Sequence, residues 1–175
     1  MPDAASNETA LPVDEAAFRS LMGQFATGVC VVSTQQDGDA PAGITVNSFV
    51  SVSLEPMLVC WSLHNSASQY DVWTQADGYS ISILAEDQGD IAREFASRDA
   101  YQAGAEHFAR GSSGLPHIAG ALGYLECRPW KLYPAGDHTM ILGEVTGLYL
   151  ADGAEGSAGR PLLFYGSAFR EIAAK

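Results

Sequence analysis

Apolar residues recur at alternate positions from Ile44 and Val46 to Val50, Val52 and Leu54, while Thr45, Asn47, Ser51 and Ser53 between them carry a hydroxyl or an amide. Period-two alternation is the signature of a β-strand with unlike faces. At the centre the pattern inverts, with Ser48 on the apolar register and Phe49 on the polar one. A slip of one residue turns every later side chain to the opposite face. The segment 43–56 therefore predicts a strand broken by a bulge or turn that aims Ser48 at a ligand rather than into the core. Two explanations fit its row of small hydrogen-bonding groups. One is the solvated face of an antiparallel sheet; the other is a cradle for a flat heteroaromatic ligand, with Phe49 as apolar cover.

The rest of the chain is rich in similar short runs. GVCVVST (28–34) and MLVCWSL (57–63) predict buried strands, and Asp37-Gly38 is a hairpin signal between the first of these and the opening segment. YSISIL (79–84) alternates as a half-buried strand does, GALGYLECRPWKLY (120–133) and HTMILGEVTGLYL (138–150) form a long pair joined by PAGD, and PLLFYGSAFREI (161–172) closes the chain as a strand with a turn. Helical spacing is confined to short segments. Phe18, Leu21, Met22 and Phe25 share one face behind Asp14 and Glu15, HNSASQYDVW (64–73) predicts a helix capped by Asn65 or Ser66 with Tyr70 and Trp73 inward, and DQGDIAREFASR (87–98) a third carrying Ile91 and Phe95. Residues 99–115 look like a long loop, and 1–12 like a disordered tail ahead of one domain over 13–175. Many short strands and few helices predict a mainly β protein, a β-barrel with helical decoration.

Charge and cysteine usage exclude several functions. A formal net charge of −12 with nine Lys plus Arg and no basic run argues against nucleic-acid or anionic-membrane binding. Cys30, Cys60 and Cys127 are scattered without a CxxC or Cys/His cluster, so neither a metal nor a disulfide framework is expected. The polar, acidic N-terminus is no signal peptide, and no apolar run reaches membrane-spanning length; the expected location is cytoplasmic. The sparse charge hints at apolar surface hidden in a subunit interface.

No GxSxG, HExxH, Walker A or GxGxxG pattern occurs, so demanding chemistry here would belong to a cofactor. Three places can serve one: the hydroxyl row Thr45, Asn47, Ser48, Ser51 and Ser53; the segment Asn65, Ser66 and Ser68, as an anion site or a simple cap, with Arg98 as the nearest cation; and PAGDHT, where Asp137 can orient His138. His64, His107 and His117 are expected to be surface or packing residues.

FRSLMGQFATGVCVVST, GITVNSFVSVSLEPMLVCWSLHNSAS and YPAGDHTMILGEV together resemble the short-chain flavin reductases, the reductase components of two-component flavin-dependent monooxygenases, from about Phe18 to Arg170. The resemblance implies a flavin-binding split β-barrel, Greek-key-like and homodimeric. It also implies hydride transfer from NADH or NADPH to FMN or FAD, and delivery of reduced flavin to a partner monooxygenase. By the same resemblance Thr45, Val46, Asn47 and Ser48 line the isoalloxazine and ribityl chain, with Ser51 and Ser53 close by. Ser62, Asn65, Ser66 and Ser68 surround the phosphate end, Phe95, Ser97 and Arg98 close over the flavin, and Gly136, Asp137 and His138 form the nicotinamide side, His138 positioning that ring. The chain departs from the family pattern at Glu55-Pro56-Met57, where a Pro-Pro pair is common. It departs again at Glu106-His107-Phe108, where Asp-Lys-Phe is common and a cation is lost. The rival functions are a split-barrel flavoprotein that carries flavin or oxidises an organic substrate without NAD(P)H, and a non-catalytic dimeric barrel that binds haem or another planar ligand.

Overall fold

A computed structural model describes residues 10–36, 40–97, 104–151 and 159–172. Helix α1 (Glu15–Met22) begins at Asp14, whose carboxylate accepts the Ala17 N–H at 2.8 Å. It leads to β1 (Thr27–Gly28), β2 (Cys30–Gln35), β3 (Pro41–Val46), β4 (Val50–Leu54) and β5 (Met57–His64). Then come α2 (Tyr70–Thr74), β6 (Tyr79–Ile83), α3 (Gly89–Glu94), β7 (Phe108–Arg110) and β8 (Pro116–Ile118). The chain finishes with the long pair β9 (Gly123–Ala135) and β10 (His138–Leu150), and the small hairpin β11 (Leu163–Tyr165) and β12 (Ala168–Arg170). The Asp37-Gly38 signal and the tail 1–9 lie outside the described residues, although β2 and β3 pair antiparallel from Gln35–Pro41 inward, as that hairpin requires.

Seven strands form one antiparallel sheet in the order β3-β2-β6-β9-β10-β5-β4. Laid flat, its outer strands would stand about 29 Å apart at the usual spacing of about 4.8 Å. Residues 47–49 join those same two strands and reach at most about 14 Å. The sheet must therefore curl until β3 and β4 approach each other, and the break expected at Ser48 is the point where the chain steps from one edge to the other. Ser48 Oγ accepts the Ser62 N–H of β5 at 3.0 Å and ties the crossing down.

One core fills the curl, with Val32, Trp61, Leu63, Trp73, Tyr79, Ile81, Cys127 and Ile141; a second lies outside it beneath α3 and β11, with Val29, Val31, Leu84, Phe95, Ile118 and Leu162. Because both faces of β2 and β6 are covered, YSISIL is buried on both faces except at Ile83, and not half-buried as its alternation suggested. Ser80 donates to the Pro116 carbonyl and Ser82 accepts the Ile118 N–H, so these hydroxyls hold β8 across β6. The expected loop 99–115 contains a turn and β7, which pairs with β8; residues 98–103, among them Arg98, lie outside the described residues. Phe18, Leu21 and Met22 lie on α1 as the spacing predicted, while Phe25 falls past its C-cap Gly23; all four are exposed in the single chain, as are Val50, Val52 and Leu54 on β4. The apolar register of the opening segment is thus core only along β3. No described helix is long and apolar enough to cross a membrane.

Candidate active site

A cleft of about 330 Å³ opens between β3, the turns following β5 and the end of α3. Its β3 wall is Gly43, Ile44 and Thr45, its middle His64, Ser66, Ser68, Gln69 and Trp73, and its far side Phe95, Ala96 and Ser97. β3 is an edge strand, and its free edge docks α3: the Thr45 N–H donates to Phe95 O at 3.0 Å and Thr45 Oγ1 to Ala92 O at 2.8 Å. These bonds satisfy carbonyls that a helix end would otherwise leave open. Gly43 lets the Phe95 ring lie directly on the strand, since a Cβ there would sit 2.7 Å from Phe95 Cδ1. Phe108 and His107 back the same ring at centroid distances of 5.3 and 6.2 Å, and His107 Nε2 is 3.1 Å from Glu94 Oε2.

Beside the cleft, the β5–β10 register sets His64 opposite His138. The β9–β10 turn is two residues, Gly136 and Asp137, and Gly136 takes φ +65°, where glycine is favoured. Asn65 clamps this turn: its N–H donates to Asp137 O at 2.9 Å, its side-chain amide donates to Gly136 O at 3.3 Å, and its Oδ1 accepts Thr139 Oγ1 at 2.9 Å. Asp137 Oδ1 lies 2.7 Å from His138 Nδ1, and Asp137 Oδ2 lies 3.6 Å from His64 Nε2. The hydrogen bond from His138 is the main reason the Asp137 carboxyl is held below its ordinary 3.8, with the charges of His138 and His64 acting in the same direction.

The flavin reductase like domain family matches residues 22–173. The chain belongs to this family. It is 39% identical over 153 residues to the FMN reductase (NADH) SmoA of Agrobacterium fabrum, spanning 87% of this chain and 83% of that protein. Its fold is similar to that of the Streptomyces globisporus C-1027 NADH:FAD oxidoreductase SgcE6, solved with NAD and FAD fragments, at a TM-score of 0.84 and 36% identity over 95% of this chain and 97% of that one. The styrene monooxygenase flavin reductase (SMOB) from Pseudomonas putida S12 matches at a TM-score of 0.80 and 30% identity, over 90% of this chain and 98% of that one. The split-barrel expectation agrees with these neighbours.

Within this flavin reductase-like frame the expected site residues fall into groups. Thr45, Ser66, Ser68, Phe95 and Ser97 meet in the cleft. Asn65, Gly136, Asp137 and His138 form the clamped turn beside it. Ser48 and Ser62 are bonded to each other at the edge crossing, Asn47 is exposed at the bend, and Ser51 and Ser53 lie on β4, across the curl from β3. The Val46 side chain packs in the inner core, which leaves only its backbone to face a ligand. The segment 65–69 is not a capped helix start: α2 begins at Tyr70 behind Gln69, which makes no side-chain cap bond. His64 takes up those N–H groups instead, its carbonyl accepting Ala67 N and its Nδ1 accepting Ser66 N at 3.0 Å.

The donor set fits a flavin. Exposed hydroxyls of Ser66, Ser68 and Ser97 and the aromatic walls Phe95 and Trp73 suit a flat ring with a polar tail. Gln69 Oε1 is the buried side-chain atom of the lining that has no partner among the described residues, and an imide N–H of an isoalloxazine ring is the kind of donor it lacks. His64, Gln69 and Gly43 were not singled out from sequence. Only the adjacency of His64 and Gln69 to the serine-rich segment pointed toward them. His107 and His117 do pack as expected, the latter stacked on Tyr124 at 3.8 Å.

Proposed function

We propose that the protein is an NADH-dependent flavin reductase that supplies reduced FMN or FAD to a partner monooxygenase. The observation that carries this reading is the clamped Gly136-Asp137-His138 turn standing beside a hydroxyl- and aromatic-lined cleft in a member of this family. When bound, the flavin supplies the hydride acceptor and the nicotinamide the donor; the transfer itself needs two rings held in contact rather than a strong acid or base. The chain's own contribution is orientation. Phe95 and Trp73 wall the ring, Gln69 and the serines offer hydrogen bonds, and His138, with its Nδ1 fixed by Asp137, offers Nε2 to the nicotinamide nucleotide. NADPH is a second nucleotide to be compared, since the names of similar reductases specify NADH.

The reading includes a homodimer, supported by the exposed apolar faces of α1 and β4, which a monomer of this size rarely leaves open. It also includes a cytoplasmic location, supported by three free and buried cysteines. Purified protein mixed with NADH and free FMN or FAD should consume 340 nm absorbance catalytically. Tightly held yellow flavin without NADH or NADPH consumption would favour the carrier or oxidase, and a Soret band the haem binder. Sedimentation should give a dimer that Leu54→Asp weakens; a wild-type monomer would overturn that part.

A further inference from the structure

The two imidazoles beside the cleft share one carboxylate. His64 ends β5 and His138 opens β10; their rings meet edge to face at a centroid distance of 4.8 Å, and Asp137 presents Oδ1 to one and Oδ2 to the other. His64 is the only one of the pair that also lines the cleft. Its tautomer follows from its neighbours. Nδ1 accepts the Ser66 N–H at 3.0 Å and lies 2.9 Å from Ser66 Oγ, so it carries no proton, and the ring N–H is on Nε2, directed at Asp137 Oδ2. At 3.6 Å that contact is a small rotation short of a hydrogen bond.

We infer that His64 is a positioning residue for His138, acting through Asp137: the turn after β5 fixes the His64 ring, that ring steadies the free oxygen of the Asp137 carboxylate, and the carboxylate sets the orientation of the His138 ring. Without His64, Asp137 is a largely exposed side chain with one fewer restraint on its carboxylate, and its χ rotation carries His138 Nδ1 with it. The arrangement parallels the way one carboxylate orients one imidazole in many sites, with the difference that a second imidazole here restrains the carboxylate. The inference rests on the reductase reading, because positioning has a kinetic meaning only if His138 meets the nicotinamide nucleotide.

Two substitutions separate this role from a turn-forming one. Asn in His64→Asn keeps an acceptor where Nδ1 was, able to take the Ser66 N–H, but cannot reach Asp137. Gln in His64→Gln keeps a donor near the position of Nε2 and loses the Nδ1 acceptor. We expect His64→Asn to raise the KM for NADH about two- to fivefold, the size of one lost exposed polar contact, by a larger factor than it changes the KM for flavin, whose cleft His64 also lines, and His64→Gln to restore most of the wild-type NADH value. In a His138→Ala background, His64→Asn should add nothing further, since its target ring is gone. Thermal melts of each variant exclude unfolding as the cause. An NADH KM unmoved by His64→Asn, restored loss absent in His64→Gln, or additive effects in the double variant would each overturn the inference. Wild-type protein that oxidises neither nucleotide with any flavin would instead remove the reductase reading itself, so the two failures are distinct.

Discussion

Gly43 and Phe95 are in van der Waals contact so close that glycine is required: a Cβ on Gly43 would lie 2.7 Å from one ring carbon and 2.8 Å from the next. The Phe95 ring is also trapped from behind by Phe108. The cleft wall and the outer core therefore share one aromatic side chain, and any shift of that ring is felt in both. Gly43→Ala should cost about 1–3 kcal/mol of stability, as overpacking of a filled site does. It should raise the flavin KM as well. Urea unfolding with flavin kinetics checks this, and wild-type values in both would mean that Phe95 moves aside freely.

Thr45 has a hydroxyl that is engaged within the protein, bonded to the Ala92 carbonyl at 2.8 Å. Its donor capacity holds α3 against β3 and is not directed at a ligand. Thr45→Val should lower stability by about 1–2 kcal/mol by stranding that carbonyl, whereas Thr45→Ser retains the bond. Denaturant midpoints compare the two. A Val variant as stable as wild type would return the hydroxyl to the ligand.

Gln69 Oε1 has the opposite status, buried at the cleft and without a partner among the described residues. Gln69→Met keeps the length and apolar stem while removing the acceptor. The flavin KM should rise about two- to tenfold, the range of one lost hydrogen bond, with the NADH KM unaffected. Fluorescence titration of flavin provides the independent measurement.

Asp137 links stability to pH. Its carboxyl is held below 3.8, chiefly by the hydrogen bond from His138. A carboxylate depressed by folding contributes stability that is present above the unfolded-state value and lost as pH falls through the folded one. The stability gap between wild type and Asp137→Asn should thus narrow once pH drops below 3.8. Urea titrations across that window measure it; a gap that widens there would contradict the sign.

Burial pushes the Cys30 and Cys127 thiols up to about 12, and raises that of Cys60. The thiolate is the reactive form. At pH 8 a disulfide reagent should therefore titrate none of the three in the folded protein within minutes and all of them in denaturant. Rapid labelling of the native chain would show an opening that exposes them.

Much of this architecture is local in origin and was legible as pattern. Most strand periods, the acidic start of α1 at Asp14 and the inversion at Ser48 depend on residues a few positions apart and appear where the pattern placed them, and the PAGD turn is present but tighter, with β9 running on to Ala135. What pattern could not supply is pairing between distant segments. His64 looked like an unremarkable surface histidine because nothing near it in the chain announces that β5 will lie beside β10 in the register that faces it toward His138. The serines of β6 looked half solvated because the strand that covers them, β8, lies just past the expected loop 99–115, in a stretch where no strand was expected. The same holds for the hydroxyl row: composition counts Thr45 and Ser48 as available donors or acceptors, but α3 and β5 engage one oxygen of each. Sequence thus determined most of the strands and the chemical kinds of group on offer. Long-range packing determined which strands became neighbours, which apolar faces stayed uncovered and which polar groups remained free for a ligand, because those depend on partners far away along the chain.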